Sequence, residues 1–286
     1  MKKILILGAT GLIGHQVFMC LKANKDYEVF NFARQRKIAE DTVLLDARNE
    51  HRLEQAILEI KPDVIVNCMG ILIAEANRDP ENAIFLNAYM PQRLKSIANV
   101  LDAKLVHIST DCVFSGKKGT YSETDIKDAD DTYGRAKALG EVIESPHVTL
   151  RTSVVGPEIK DGEELFHWFM SQEGKIKGFT KSFWSGVTTL ELAKAVGWVI
   201  ENDIQGLYHV TNGQPINKFD LLMLFKKYTK KNIEIEGIEG RVTNKSFVDT
   251  RQEMNYTVPD YDEMVRDMVF AIQNNKNLYE QYTIDL

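Results

Sequence analysis

The most constraining feature of the 286-residue sequence lies at its beginning, where closely spaced glycines follow a short apolar run. Ile4–Leu7 is wholly apolar, and the seven residues Gly8–Gly14 follow it directly. Ile13, Val17 and Leu21 then recur at four-residue steps, which is the spacing of one helix face. Glycines between a buried strand and a helix let the backbone approach a pyrophosphate, which the free N–H groups at the helix N-terminus can bind. The segment therefore predicts a dinucleotide-binding turn. The predicted phosphate contacts are Gly8, Thr10, Gly11, Leu12, Ile13 and Gly14.

The rest of the first half alternates short apolar runs with helical segments. The predicted strands are Val29–Phe32, Val43–Leu45, Val64–Val66, Leu105–Ile108 and Val148–Leu150, and the predicted helices are Leu53–Ile60, Glu81–Leu101 and Tyr133–Ile143. Alternation of this kind implies parallel strands joined by right-handed crossovers. The sequence therefore predicts an α/β fold with a Rossmann-type, doubly wound parallel sheet.

After about Arg151 this alternation loosens into a mixture of helices and short strands. Helices are expected near 163–171, 190–200 and 219–228, and strands near Tyr208 and Ile233. We expect residues 1–155 to form the dinucleotide-binding domain and residues 156–286 to form mainly a smaller substrate-binding lobe. The boundary is soft, because parts of 186–250 could return to complete the first sheet.

The residues after the second predicted strand bear on the choice of nicotinamide cofactor. An NAD-binding chain usually has an acidic residue there, about twenty residues past the glycines, which binds the ribose hydroxyls. This chain instead has cations, and Arg34 and Arg36 suit a 2′-phosphate. We therefore expect NADP(H) to be preferred over NAD(H), which stays open. The alternative is that these charges only face solvent.

Two further strand ends are predicted to line the cofactor. Asp46 and Ala47 end the third strand, where the carboxylate could accept a hydrogen bond from the adenine amino group. Cys68, Met69 and Gly70 follow the fourth strand, and their backbone could line the adenosine. The alternative for both segments is ordinary turn chemistry at a strand end.

The candidate catalytic residues follow the fifth strand and begin the next helix. Thr110 stands directly after the strand, and the carboxyl ends of parallel strands are where α/β sheets place ligands. Tyr133 and Lys137 are four residues apart and share one helix face. A nearby ammonium group is expected to lower the phenol pKa toward neutrality, which would suit proton transfer. The hydroxyl of Thr110 could polarise a carbonyl group that receives hydride.

Together these motifs resemble the extended short-chain dehydrogenase/reductase family. The segments Ser109–Gly116, Gly119–Glu123 and Tyr133–Lys137, with Gly140-Glu141, look like its dTDP-4-dehydrorhamnose reductase branch. The resemblance implies two lobes, NADPH as cofactor, and reduction of a 4-keto-6-deoxy sugar nucleotide, dTDP- or UDP-linked. It also implies that Thr110, Tyr133 and Lys137 form the catalytic trio. Tyr133 and Lys137 are expected to bind the cofactor as well, with Lys137 hydrogen-bonding the nicotinamide ribose.

The resemblance extends to the substrate pocket, where this chain also departs from the branch. Cys112 stands where tyrosine is usual, and Val154-Val155 replaces a usual tryptophan, which suggests a different sugar, such as a UDP-linked one with a 2-acetamido group. In the second lobe, Arg241 and Lys245 could meet a diphosphate. Core packing for Trp184 and solvent for the two cations are the alternatives. The candidate substrate contacts are Asn87, Asp111, Cys112, Val113, Trp184, Arg241 and Lys245.

Composition narrows the remaining classes of protein. A net charge of −6 argues against wide contact with a nucleic-acid backbone. The odd number of cysteines lacks metal-ligand spacing, as do the six histidines, so no metal site is expected. No apolar run is long enough for a membrane helix, and reduced thiols fit a cytoplasmic protein. The expected partner is a nucleotide sugar, with a homodimer left open.

Two other functions remain compatible with the motifs. The same fold also hosts epimerases and dehydratases, and an acidic residue beside the threonine, here Asp111, is usual in dehydratases. Relatives of the branch also include non-catalytic NADP(H)-binding regulatory subunits. Retention of Thr110, Tyr133 and Lys137 favours a reductase.

Overall fold

The structure is a computed structural model that describes residues 1–160, 162–251 and 253–284. Its strands are β1 (Lys2–Leu7), β2 (Tyr27–Ala33), β3 (Val43–Leu44), β4 (Val64–Asn67), β5 (Lys104–Thr110), β6 (Val148–Thr152), β7 (Val154–Val155), β8 (Lys175–Phe179), β9 (Ser182–Trp184), β10 (Val187–Thr188), β11 (Gly206–His209), β12 (Ile216–Asn217), β13 (Glu234–Ile238) and β14 (Thr243–Asn244). Its helices are α1 (Gly14–Lys22), α2 (Glu50–Ile60), α3 (Ile73–Arg78), α4 (Pro80–Ile84), α5 (Met90–Val100), α6 (Thr132–Gly140), α7 (Leu165–Ser171), α8 (Thr189–Glu201), α9 (Lys218–Thr229) and α10 (Tyr261–Asn274).

Seven strands form one parallel sheet in the order β11-β6-β5-β4-β1-β2-β3. Chain order reverses between β1 and β4, so the crevice at their carboxyl ends is where such sheets bind ligands. The predicted Rossmann-type doubly wound sheet is confirmed. The division into two domains stays a prediction, although β11 at the sheet edge comes from the later part of the chain.

The side chains of β1 point alternately into two apolar cores, one on each face of the sheet. Ile4 and Ile6 pack in a cluster with α1 and α8, whereas Leu5 and Leu7 pack in a second cluster with α2 and α5. All four are completely buried. A strand buried on both faces must be apolar throughout, which is why this run lacks polar alternation.

The later part of the chain has its own apolar core and small sheets. Aromatic residues of α7 and α9 pack with one face of α10 in a single cluster. Strand β8 pairs with β13, β9 lies between β12 and β14, and β7 pairs with β10. Helix α10 was absent from the sequence prediction, although Asp260 caps it and buried residues recur along one face.

Two predicted helices differ from those observed. The helix expected over Glu81–Leu101 is divided into α4 and α5 by a π-helical turn over Phe85–Tyr89. Helix α6 ends at Gly140 rather than Ile143, because Glu141 adopts an extended conformation and turns its carboxylate toward Arg151. Helix α3 was also not predicted.

Candidate functional site

The glycine turn between β1 and α1 is closed by backbone contacts that leave no room for a side chain at Gly8 or Gly14. Gly8 adopts a φ of +82°, and the amides of Gly8 and Ala9 both donate to the Phe32 carbonyl at 3.0 Å. A Cβ atom on Gly14 would lie 2.1 Å from the Gly8 carbonyl oxygen. The first turn of α1 is therefore held directly against the strand end, as close approach to a phosphate requires.

The same turn presents unused backbone donors. Within the described residues, the amides of Leu12 and Ile13 donate to no backbone carbonyl. Ile13 precedes α1 and offers no side-chain cap to the helix. Free N–H groups at a helix N-terminus form an anion-binding site. Of the predicted phosphate contacts, Leu12 and Ile13 therefore offer unused amide donors, whereas the amides of Gly8 and Gly11 donate to backbone carbonyls.

We expect Gly14→Ala to weaken NADPH binding at least tenfold, because its Cβ would force the Gly8 carbonyl and α1 apart. The measurement is a fluorescence titration with NADPH. Gly197→Ala is the matched control, since that Cβ would meet only Leu21 Cδ2 at 3.6 Å. It should leave binding unchanged and stabilise the protein by up to about 1 kcal/mol. Equal affinity of the two variants would contradict the assignment of the turn.

The cations after β2 lie on the surface. Arg34 and Arg36 are exposed, and neither forms a hydrogen bond or ion pair within the part of the chain that the structure describes. Asp46 instead binds Arg48, whose Nη2 lies 2.5 Å from its Oδ2 and which holds the carboxyl pKa below its usual range. Arg48 was missed by the sequence analysis. Ala47 is buried in the core beside α2.

The end of β4 lies between the glycine turn and Lys137 of α6. The Cys68 carbonyl oxygen lies 3.0 Å from a Cβ position on Gly8, and the Cys68 thiol interacts electrostatically with Lys137. Burial raises the pKa of this thiol to about 12. Met69 is half-buried, whereas Gly70 is exposed. This strand end therefore lies between the predicted cofactor turn and the predicted catalytic lysine.

Asn87 positions the loop after β4. Its Oδ1 accepts from the Ile71 amide at 3.0 Å, and its Nδ2 donates to the Ile71 carbonyl at 3.0 Å. The side chain is completely buried. Both ends of the amide are used within the chain, so Asn87 positions this loop, and its predicted contact with substrate stays a prediction.

Thr110 and Tyr133 come together at the carboxyl end of β5. Thr110 Oγ1 donates to Asp111 Oδ1 at 3.1 Å and accepts from the Cys112 amide at 3.1 Å. The same hydroxyl lies beside the Tyr133 phenol, whose pKa it lowers. Asp131 caps α6 through the Gly134 amide at 2.9 Å, which fixes the first turn that carries Tyr133.

The electrostatics of Tyr133 differ from the sequence expectation. Burial raises the pKa of the phenol well above its ordinary value, and the nearby Cys112 and Asp111 raise it further. The Lys137 ammonium donates to the Ile108 carbonyl at 2.6 Å. The predicted lowering of the phenol pKa by Lys137 is therefore wrong for this state. A phenol that keeps its proton at neutral pH is poised to act as an acid.

Lys137 is buried with the other two members of the predicted trio. Burial lowers its pKa to about 8, although Glu141 and Cys68 oppose this shift. The ammonium form therefore predominates below pH 8. Lys137 therefore places a positive charge between the end of β5 and Cys68. Cys68 lies at the end of β4 and also contacts the glycine turn.

Lys245 comes from the later part of the chain and lies beside Asp111 and Cys112. Its ammonium group interacts with the Cys112 thiol and the Asp111 carboxylate. Although burial lowers the pKa of Lys245, these two groups raise it overall. Burial in turn raises the pKa of Asp111, which Lys245 opposes. The structure thus brings three predicted substrate contacts, Asp111, Cys112 and Lys245, next to Thr110.

Three other predicted substrate contacts lie elsewhere. Val113 is completely buried with Phe114 and Tyr121, so it belongs to the core. Trp184 packs in the second-lobe core with its ring 5.7 Å from that of Tyr261, so the packing alternative is correct. Arg241 is exposed, and within the described ranges its guanidinium forms no hydrogen bond or ion pair with the cluster. Val113 and Trp184 are held by core packing, whereas contact of Arg241 with a substrate stays a prediction.

Comparison with known proteins gives one family. The model of the RmlD substrate binding domain matches residues 1–276. The dTDP-4-dehydrorhamnose reductase of Aggregatibacter actinomycetemcomitans is 33% identical over 159 residues, covering 54% of this chain and 51% of that protein. Methionine adenosyltransferase 2 subunit beta of Bos taurus is 29% identical over 240 residues, covering 77% and 70%. The solved dTDP-4-dehydrorhamnose reductase of Bacillus anthracis, in complex with NADP, has a TM-score of 0.82 at 22% identity, covering 95% and 99%.

The family match spans both the sheet and the later core. It includes the glycine turn, the Thr110–Lys137 region and Lys245. The resemblance inferred from the motifs is confirmed by this match. The chain belongs to the RmlD substrate binding domain family.

Proposed function

We propose that the protein reduces the 4-keto group of a 4-keto-6-deoxy sugar nucleotide with NADPH. The observation that carries this proposal is the meeting of Thr110, Tyr133 and Lys137 at one strand end. Cys68 joins this cluster to the glycine turn, since it contacts Gly8 and interacts with Lys137. A proton donor and a dinucleotide site that share one crevice are what carbonyl reduction requires.

The residues present fit a dinucleotide. The Gly8–Gly14 turn offers unused amide donors, and a Cβ on Gly14 would close it. Exposed Arg34 and Arg36 can bind a 2′-phosphate, which supports NADP(H) over NAD(H). The NADP-bound relative with the same fold supports the same preference.

In the proposed reaction, bound NADPH supplies the hydride for the keto carbon. Tyr133 donates its phenolic proton to the keto oxygen, and its raised pKa keeps that proton available at neutral pH. Thr110 orients the keto oxygen through its hydroxyl. Lys137 supplies a buried positive charge next to the reacting groups. The product is the corresponding alcohol.

Asp111, Cys112 and Lys245 are the candidates for contacting the sugar nucleotide. They surround Thr110 from two parts of the chain. Cys112 offers a small thiol where the reductase branch usually has a tyrosine ring. We infer a sugar different from that branch's usual one, with a UDP-linked 2-acetamido sugar as the first to test. Such a reaction would serve deoxysugar and surface polysaccharide synthesis.

The test is NADPH oxidation with two 4-keto-6-deoxy sugar nucleotides, one dTDP-linked and one UDP-linked with a 2-acetamido group. We expect one NADPH consumed per product molecule for the true substrate, and slower turnover with NADH. An epimerase or a dehydratase would form product while regenerating its cofactor. Product formation without net NADPH consumption would therefore overturn the proposed reduction. Equal turnover of both sugar nucleotides would remove the basis for preferring the UDP-linked one.

A second candidate function is a regulatory subunit that binds NADP(H). The match to methionine adenosyltransferase 2 subunit beta covers 77% of the chain, more than the 54% covered by the match to the Aggregatibacter reductase. The grouping of Thr110, Tyr133 and Lys137 favours catalysis. Recovery of a partner enzyme in a fixed ratio, together with absence of turnover, would support the regulatory candidate.

The proposed setting is the cytoplasm, with a homodimer as an assembly to test by sedimentation. In the part of the chain that the structure describes, Cys20, Cys68 and Cys112 are free thiols, which fits a reducing compartment. None of the helices described there is long and apolar enough to span a bilayer. Nor do the described residues contain a cluster of three metal-ligating side chains.

A further inference from the structure

The segment after α10 connects the glycine-turn helix with the second-lobe core. We call Lys276–Ile284 the C-terminal strap. Tyr279, which is 1% exposed, places its hydroxyl against α1, whereas the Tyr282 hydroxyl accepts from the Glu158 amide at 2.9 Å. The Tyr282 hydroxyl also pairs with His167 Nδ1 at 2.9 Å. One short segment therefore anchors at two places, and only the Tyr279 anchor lies on α1.

The α1 anchor is a chain of hydrogen bonds that ends in the glycine turn. Tyr279 Oη lies 2.9 Å from His15 Nε2, and it also accepts from the side-chain amide of Gln16. His15 Nδ1 lies 2.9 Å from the Gly11 carbonyl oxygen. The imidazole is completely buried, and burial lowers its pKa to about 4, so it is neutral at pH 7.

The partners of His15 decide which groups donate and which accept in this chain of hydrogen bonds. A carbonyl oxygen can only accept, so the single ring proton belongs on Nδ1, facing Gly11. Nε2 is then an acceptor. It faces the Tyr279 hydroxyl at 2.9 Å and the Gln16 side-chain amide at 3.4 Å, and the Tyr279 oxygen itself accepts from Gln16. Every donor in this buried chain has an acceptor, which makes the arrangement specific.

The bond to Gly11 bears on phosphate binding through the planarity of the peptide group. The Gly11 carbonyl and the Leu12 N–H belong to one rigid trans unit and point in opposite directions. His15 holds this carbonyl through its ring and also through its own amide, at 3.2 Å. Fixing the carbonyl therefore fixes the direction of the Leu12 N–H, which donates to no backbone carbonyl within the described residues.

We propose that the C-terminal strap positions the dinucleotide-binding turn through Tyr279, His15 and Gly11, so that dinucleotide affinity depends on a docked strap. This inference rests on the proposed use of the turn for NADPH. By thermodynamic linkage, bound NADPH stabilises the docked strap by the same factor. Tyr279 and His15 are positioning residues, since neither is required to contact the dinucleotide.

The test compares Tyr279→Phe with Tyr282→Phe in the full chain by NADPH titration without sugar nucleotide. Each substitution removes one hydroxyl from the same strap, but only the first breaks the chain to Gly11. We expect Tyr279→Phe to weaken NADPH binding about five- to tenfold and Tyr282→Phe to leave it within twofold. Both variants should lower the melting temperature. Amide hydrogen exchange of Leu12 and Ile13 without NADPH should accelerate in Tyr279→Phe alone.

A double-mutant cycle with His15→Gln tests the path itself. If Tyr279 acts through His15, adding Tyr279→Phe to His15→Gln should weaken NADPH binding by less than a further twofold. Should Tyr279→Phe fail to fold, His15→Gln tests the same turn with the strap's own residues intact. It is expected to weaken binding to a similar extent.

Three results would overturn the proposal. Unchanged NADPH affinity in Tyr279→Phe would make its role purely structural, and equal weakening in Tyr282→Phe would show general loosening of the strap. Failure of the unmodified protein to bind NADPH would overturn both this inference and the proposed function. Normal NADPH binding without ketoreductase turnover would overturn the reaction alone and leave the strap's role standing.

Discussion

Tyr133→Phe is expected to lower ketoreductase turnover by about 10²- to 10⁴-fold, because the substitution removes the proton donor for the keto oxygen. The phenyl ring can keep its place beside Ile71 and Ala83, so the fold should persist. NADPH should still bind within twofold of the original affinity. The measurements are single-turnover NADPH oxidation and an NADPH titration of the same preparation.

Tyr89→Phe is the matched control for this substitution. Its hydroxyl donates to Glu50 of α2 at 2.8 Å on the surface and forms no hydrogen bond with Thr110, Tyr133 or Lys137 among the described residues. Turnover in this control should stay within twofold. Near-normal turnover of Tyr133→Phe would show that another group donates the proton, and the mechanism proposed above would then be wrong.

Glu141→Gln is expected to lower the free energy of unfolding by about 3–5 kcal/mol, because it leaves a buried guanidinium without its counter-charge. Arg151 Nε and Nη2 each donate to the Glu141 carboxylate at 2.8 Å, and both side chains are almost fully buried. Ser109 donates to the same carboxylate at 2.8 Å. Urea unfolding at pH 7 would measure the loss.

Glu144→Gln is the matched control, three residues along the chain. Glu144 pairs with Lys95 at 3.0 Å, but its side chain is 59% exposed. Exposed ion pairs contribute only about 0–1 kcal/mol to the free energy of unfolding. This variant should therefore have nearly the same free energy of unfolding as the original protein. An equal loss of unfolding free energy in the two variants would show that the buried pair of Glu141 and Arg151 stabilises the fold no more than an exposed pair does.

The pH dependence of stability provides a second readout of Glu141. Although burial raises its pKa, the hydrogen bonds and charge of Arg151 lower it overall, below the ordinary glutamate value. The stabilisation is therefore complete above the unfolded-state pKa of about 4.3 and is lost as pH falls through the lower folded-state value. The original protein should lose this contribution below pH 4, whereas Glu141→Gln should lack the same drop.

Local patterns were enough to predict the sheet and the glycine turn. Ile4–Leu7 and the glycines after it are contiguous in sequence, so their roles depend mainly on neighbouring residues. Helix α6 was also predicted, but its end was not. The helix ends at Gly140 because the extended Glu141 turns toward the buried Arg151 of β6, and this pairing leaves no helix-stop pattern in the local sequence.

In the candidate site, too, some features follow from local sequence and others depend on contacts between distant segments. Tyr133 and Lys137 could be paired from their helical spacing, yet the shift in the Tyr133 pKa had the wrong sign. Burial decides that sign, and burial depends on which segments cover the phenol. Trp184 was misplaced for a related reason, since an aromatic residue in a loop-like segment looks the same whether it binds a ligand or packs against Tyr261.

The sequence by itself determined the parallel sheet, the glycine turn and the chemical types of the candidate catalytic side chains, because strand-helix periodicity and glycine spacing are local properties. Only the tertiary structure decided that Lys245 reaches Asp111 and that Asn87 supports a loop. It alone also showed that Tyr279 reaches the glycine turn through His15, 264 residues away in the chain. Such contacts form where separate segments exclude water together, and neither segment carries a sequence signal for the other.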